Sequence, residues 1–167
     1  RDHRTTWVRL YNSLSVEEAN ALYFAMTHAT YEMDEVIYRQ GDWKPRLFFV
    51  NSGRARTIYL QNDREIFLKS VEPGQIAGED AFFSYTFCTT TLVAMCRTEV
   101  SYLDAELLKA WKTSFPLLES KLLDFASGTE KIADLLKARE LDRRVLKRVS
   151  TGGRGTVVGV AIAGVVV

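Results

Sequence analysis

Between Tyr31 and Leu103 the chain is written in short runs of β-branched and aromatic residues, each stopped by a turn signal. That punctuation constrains the fold more than any other feature, because it is how an antiparallel sandwich or barrel reads. The expected strands are Glu35–Arg39, Leu47–Ser52, Arg54–Leu60, Glu65–Val71, Thr90–Arg97 and Glu99–Asp104. Gly41-Asp42, Ser52-Gly53, Gln61-Asn62-Asp63 and Pro73-Gly74 separate them. Asn62-Asp63 suits a tight hairpin, since both residues tolerate positive φ. Alternation is clearest where Leu92, Ala94 and Cys96 oppose Val93, Met95 and Arg97, which predicts Cys96 to be a small buried hydrophobe.

Helical spacing flanks this region. Ser15–His28 opens on a capping serine, and Glu18 completes a capping box. Leu22 and Met26 then share a face. Ala105–Trp111 reads as a short helix, and Pro116 suits the first turn of a longer one. Leu118, Leu122, Phe125, Thr129, Ile132 and Leu136 follow at alternating spacings of four and three, a heptad-like seam. Such a seam either packs back on the β region or joins two copies in parallel, and a homodimer through this helix is the expected partnership. The organisation is therefore a helical segment over 1–30, a β domain over 31–116, a connecting or dimerising helix over 117–148 and a tail over 149–167. That tail, rich in glycine and valine, reads as strand-like.

A length of 167 residues holds one ordinary domain plus an appendage. Apolar residues make up 47% and charged residues 26%, the balance of a soluble globular protein. A net charge of +1 gives no global pull toward nucleic acid, and no direct nucleic-acid binding is expected. The sequence opens at Arg1 with no apolar run, and no stretch reaches the roughly 18 apolar residues of a membrane span. A trimmed piece of a cytoplasmic protein without membrane contact is the expectation. Cys88 and Cys96 form no disulfide framework. The histidines, His3 and His28, lie outside the expected β region, so no metal-ligand spacing and no base for a cysteine nucleophile are present. No catalytic residues, metal or cofactor are expected, and the chain does not read as an enzyme.

Three stretches in order carry a family resemblance. Asp34-Glu35-Val36-Ile37-Tyr38-Arg39-Gln40-Gly41-Asp42 is followed by Leu47-Phe48-Phe49-Val50-Asn51-Ser52-Gly53, and then by Pro73-Gly74 ahead of Ala77-Gly78-Glu79-Asp80-Ala81-Phe82. Over about Leu14 to Pro116 the chain resembles the cyclic nucleotide-binding domain family, shared by catabolite-activator-type regulators, protein kinase A regulatory subunits and gated channels. The resemblance implies a mainly β fold with flanking helices: an eight-stranded, jelly-roll-like β-roll followed by a long C-terminal helix. It also implies that Gly78 and the Ala81 backbone cradle a phosphate and that Glu79 binds a ribose. A glycine opening a short helix lets backbone N–H groups approach an anion closely.

The second half of this cassette departs from the pattern. Aligning Thr91-Leu92-Val93-Ala94 with the family's strand puts Cys88 where the family has its phosphate-binding arginine. A charge-assisted hydrogen bond is worth about 1.5–3 kcal/mol, so its loss weakens affinity by roughly ten- to over a hundred-fold. Thr89 and Thr90 offer uncharged hydroxyls in compensation, and Arg97 lies too far along the strand. The departure points toward a cassette kept for architecture or partner contacts, with cyclic AMP or cyclic GMP as the ligands to test. Phe82, Phe83 and Phe87 flank the cassette and are candidates to fill an empty pocket. Cys88 is expected near helix N–H groups that would lower its pKa.

Beyond the long helix, Arg144 and Arg148 stand in an R-x-x-x-R spacing just before the Gly/Val-rich tail. This resembles the opening of a PilZ domain, where arginines clamp cyclic di-GMP; a basic helix end produces the same spacing. Three readings stand. The first is a regulatory sensor of a bacterial signalling protein, coupled through a dimer helix to a C-terminal output domain such as PilZ. The second is a ligand-free dimerisation or interaction module. The third is the sensor half of a catabolite-activator-type transcription regulator.

Overall fold

The computed structural model describes residues 3–127 and 136–138. The first compact unit spans Arg1–Gly128. It opens with two single-turn helices, α1 (His3–Thr6) and α2 (Val8–Tyr11), followed by α3 (Val16–Ala25). The strands follow as β1 (Thr27–Tyr31), β2 (Val36–Tyr38), β3 (Arg46–Ser52), β4 (Ala55–Gln61), β5 (Arg64–Val71) and β6 (Ile76–Ala77). After α4 (Glu79–Ser84) come β7 (Thr91–Ala94), β8 (Thr98–Asp104), α5 (Ala105–Ala110) and α6 (Leu118–Ala126). Among the described residues no helix is long and apolar enough to cross a membrane.

The strands form two antiparallel four-stranded sheets, ordered β1-β8-β3-β6 and β2-β7-β4-β5. The mainly β domain with flanking helices is therefore what the punctuated sequence builds. Asn62 and Asp63 take φ of 51° and 61° between the paired ends Gln61 and Arg64, the tight hairpin expected of them. The long run Leu47–Asn51 is buried residue by residue because β3 is covered on both faces. Phe48 and Val50 point between the sheets with Tyr38, Leu92, Ala94 and Val100. Leu47 and Phe49 point the other way, into a second cluster with Trp7, Leu22, Leu103, Leu118 and Leu122 from the helices. Each fully buried Val, Leu or Phe side chain among these contributes roughly 1.5–3 kcal/mol.

Several expectations need correction. The capping box forms as read: Ser15 Oγ accepts from Glu18 N at 3.1 Å, and Glu18 accepts from Ser15 N at 2.8 Å. The helix it opens ends at Ala25, however, and not at His28. Met26 is extended, and the chain enters β1, whose residues pair with β8 from Thr27↔Tyr102 to Tyr31↔Thr98. The roll thus begins at Thr27, not at residue 31. Pro116 lies outside α6, whose N-cap is Leu117.

Cys96 is exposed, not buried. β7 stops at Ala94 because the chain must leave the second sheet for β8 in the first. Met95, Cys96 and Arg97 make that crossing, with Met95 N bonded to Arg54 O at 2.8 Å, and strand alternation no longer holds. Of the heptad-like seam, Leu118 and Leu122 belong to the domain's own core and Phe125 packs against it, which is the packing-back arrangement. Thr129 and Ile132 lie outside the described residues, as do Arg144, Arg148 and the tail over 149–167.

Candidate functional site

The cassette read from the sequence folds as one unit at the end of β6. Ala77 pairs with Phe48 of β3, and Gly78 then turns the chain at φ 81°. A Cβ here would stand 2.6 Å from Arg46 O and 3.4 Å from Phe48 Cδ2, so glycine is required both for its conformation and for its close approach. Gly78 is the N-cap of α4, and its carbonyl accepts from Phe82 N at 3.0 Å. Ala81 is buried and fixes the helix to the core, while its carbonyl accepts from Thr86 N at 3.1 Å.

Glu79 is the first residue of α4. Its Oε2 is buried and has no hydrogen-bond partner among the described residues. Burial raises the Glu79 carboxyl above the usual carboxylate range, while the positive charge of Lys69 pulls the other way. Tyr38 lies beside it, buried in the roll interior, and Thr90 on the approach to β7 is close enough to act on its phenol. Burial, and next the nearby Glu79 charge, push the Tyr38 phenol upward. Thr89 is exposed and reaches Asp80 Oδ2 at 3.4 Å, tying the approach to β7 back to α4. Gly78, Glu79, Ala81, Thr89 and Thr90 are thus gathered around one corner of the roll.

Cys88 is placed differently from the expectation. Its thiol is buried and donates to Lys44 O at 3.6 Å. Burial pushes its pKa up, the opposite of activation by helix N–H groups. Its backbone is clamped to the turn after β2, with Cys88 N to Asp42 O and Gly41 N to Cys88 O both at 2.8 Å. Arg97, the nearest arginine in sequence, forms an exposed ion pair with Glu32 at 3.0 Å.

The aromatic residues next to the cassette do not plug it. Phe82 is in the helix-side cluster and Phe83 packs against that same cluster. Phe87 is exposed, edge-on to Trp43 at 5.1 Å. The rings that do line the interior beside Gly78 are Phe48 and Tyr38, 5.2 Å apart. Tyr38, Lys69 and Thr57 were not singled out by sequence reasoning. The period of two along β4 and β5 was the signal that could have found Thr57 and Lys69, each two residues from an interior apolar neighbour, Ala55 and Val71; on β2 the register irregularity at Tyr38 breaks that period.

Comparison with known proteins agrees with this geometry. The family described as "Cyclic nucleotide-binding domain" matches residues 28–112, about half of the chain. Thermus thermophilus Catabolite Activator Protein is similar at 26% identity and a TM-score of 0.64, over 86% of this chain and 71% of that one. The N-terminal domain of a transcriptional regulator from Streptomyces coelicolor is similar at 25% identity and a TM-score of 0.61, over 71% of this chain and 83% of that one. Among curated relatives, Neuropathy target esterase sws of Drosophila grimshawi is 27% identical over 105 residues, 62% of this chain. The chain spans only 7% of that relative's length. With the cassette folded as a glycine-turned corner of a two-sheet roll and the family matched across the β region, this chain belongs to the cyclic nucleotide-binding domain family.

Proposed function

We propose that this domain is a regulatory sensor module, without catalysis of its own, that binds a cyclic mononucleotide against Gly78, Glu79, Ala81, Thr89 and Thr90. The observation that carries the proposal is the buried, unpartnered Glu79 Oε2. A buried carboxylate oxygen without a donor is costly, and a ribose hydroxyl is a donor of the right kind to satisfy it. Ligand binding then acts by its differential affinity for two states of the protein. Likeness to Thermus thermophilus Catabolite Activator Protein supports the idea that the domain reports to an output domain beyond it.

A thermal-shift titration with cyclic AMP and cyclic GMP tests this. Ligand at about one hundred times its dissociation constant adds roughly 2.7 kcal/mol of stability. The expected result is a shift with at least one nucleotide that disappears in Glu79→Ala. No shift with either at millimolar concentration overturns the proposal. It favours the second reading, a ligand-free interaction module, which the burial of Cys88 at the arginine's position supports.

On the sensor reading the protein works in the cytoplasm, where such ligands are made. Leu118 and Leu122 are used by the domain's own core, so a homodimer contact falls to the exposed Leu117 and Leu123 and to the residues after α6. Arg144 and Arg148 then open the output segment, a PilZ-like receptor for cyclic di-GMP. Sedimentation with and without each nucleotide, and cyclic di-GMP binding by the chain extended through its next domain, test these two parts separately.

A further inference from the structure

The second sheet carries one row of side chains that runs away from the cassette. Tyr38 of β2 is in register with Leu92 of β7, Leu92 with Thr57 of β4, and Thr57 with Lys69 of β5. Residues opposed in this way in an antiparallel ladder place their side chains on one face. Tyr38 and Leu92 belong to the interior cluster. So do Ala55 and Val71, the opposed pair two residues along from Thr57 and Lys69. The strand period of two, counted back from Val71 on β5 and forward from Ala55 on β4, gives the same answer up to the register shift that follows Thr57. Thr57 and Lys69 face the interior of the roll. At the other end of the row, Tyr38 Cε2 lies 3.7 Å from the position a Cβ would take on Gly78.

Two buried oxygens in this region have no hydrogen-bond partner among the described residues: Thr57 Oγ1 and Glu79 Oε2. Lys69 is close enough for its charge to act on Glu79. Four arginines around the roll are ion-paired elsewhere, Arg46 with Asp104 at 2.8 Å, Arg54 with Glu72 at 3.3 Å, Arg56 with Asp34 at 3.7 Å and Arg97 with Glu32 at 3.0 Å, while Arg39 and Arg64 are exposed. Cys88, at the arginine's sequence position, carries no charge to offer, since burial holds its thiol protonated. An anion or a buried acceptor brought into this space needs a donor from somewhere else.

We infer that Lys69, with Thr57 beside it, supplies from β5 and β4 the cationic donor that the cassette lacks at Cys88, and that it contacts acceptor oxygens of the ligand held by Glu79. This rests on the sensor reading above. A lysine ammonium only donates, so the ligand group facing it must be an acceptor. Two parts of a cyclic nucleotide qualify: the cyclic phosphate, and the keto edge of a guanine, whose O6 and N7 pair well with lysine.

Calorimetric titration of the wild type, Lys69→Met and Lys69→Arg with cyclic AMP, cyclic GMP, adenosine and guanosine tests the assignment. Lys69→Met is expected to weaken nucleotide binding about ten-fold or more, the worth of one charge-assisted hydrogen bond, while Lys69→Arg keeps most of the affinity. An equal loss for cyclic AMP and cyclic GMP, with nucleosides unaffected, assigns Lys69 to the phosphate. A loss confined to cyclic GMP and guanosine assigns it to the base. If the wild type binds and a folded Lys69→Met, checked by circular dichroism, binds equally well, the Lys69 assignment falls and the sensor reading stands. If the wild type binds no nucleotide, both fall together.

Discussion

Glu18 of α3 accepts a hydrogen bond from Lys121 Nζ of α6 at 2.6 Å, joining helices that lie 103 residues apart in sequence. The same Oε1 closes the capping box on Ser15 N. Glu18 is 5% exposed, so its charge is held inside by these two donors. Burial acts to raise its carboxyl, but the hydrogen bond from Lys121 and the backbone bond from Ser15 outweigh it and hold it below the ordinary value.

A carboxyl whose folded pKa is depressed contributes stability that is present above its unfolded pKa and lost as pH falls through the folded one. Glu18→Gln is therefore expected to destabilise the domain at neutral pH by on the order of 1–2 kcal/mol, the low end for charged hydrogen bonds because Lys121 is partly exposed. The difference from wild type should shrink under acid. Urea melts at neutral pH and at about pH 3 read both halves of this expectation. An unchanged difference across that range would remove Glu18 as its source.

A second polar contact is buried outright. Asn51 Oδ1 accepts from Trp7 Nε1 at 2.8 Å and bonds His3 Nδ1 at 3.0 Å, while Asn51 Nδ2 donates to Ser101 Oγ at 2.8 Å. Indole N–H only donates, which fixes the oxygen's side of the amide and makes His3 Nδ1 the proton-bearing nitrogen. Asn51→Ala leaves both donors without their acceptor, at a cost of about 2–4 kcal/mol. Chemical denaturation gives the number, and a loss below 0.5 kcal/mol would show that the network adds nothing net.

Two glycines at nearly the same backbone angle should respond differently to alanine. Gly53 has φ 85° and Gly74 has φ 87°. A Cβ on Gly53 would stand 2.7 Å from Thr98 Cα and closer still to Arg97 O, at the point where Thr98 Oγ1 donates to Arg54 O at 3.0 Å. A Cβ on Gly74 meets nothing within 4 Å. Gly74→Ala is expected to cost only the left-handed conformation, about 1–2 kcal/mol. Gly53→Ala adds displacement of the β8 backbone and should cost clearly more, which paired thermal melts will resolve.

The two cysteines give a solvent-side test of the fold. Cys96 is exposed at the crossing between sheets, and Cys88 is buried with its thiol pushed toward the protonated form. A thiol reagent at pH 8 should modify Cys96 rapidly and reach Cys88 only after denaturant is added. Fast reaction at Cys88 in the native protein would contradict its placement.

These residues also show where the sequence was informative. The β4–β5 hairpin was legible because Asn62-Asp63 satisfies its backbone locally, and the capping box because Ser15 and Glu18 lie within one turn. β1 was not legible. Its exposed positions Thr27, His28 and Thr30 show no apolar alternation, and its stability comes from pairing with β8 some seventy residues later. Cys96 was misplaced for a related reason, since alternation carries no mark of where a chain changes sheets. In the site, Gly78 and Glu79 were readable because their chemistry is local to one turn. Lys69 and Thr57 acquire theirs only when β4 and β5 are laid across β7.

Glu79 lets stability and binding be set against each other. Burial raises its carboxyl above the value it has in an unfolded chain. For a carboxyl shifted in that direction, folding favours the protonated form, so the stability it contributes is present at low pH and lost as pH rises through the raised folded pKa. Glu79→Gln removes the buried charge while keeping the shape, and at neutral pH the free domain is expected to become more stable. The same change puts an amide NH2 donor in place of one carboxylate oxygen and leaves only a neutral acceptor for the ribose hydroxyls, so the thermal shift with cyclic nucleotide should fall. A variant with higher Tm and weaker ligand response marks Glu79 as a binding group maintained at a cost to the empty domain. A variant with lower Tm would instead make Glu79 a structural carboxylate, held by its own backbone N–H and by Lys69.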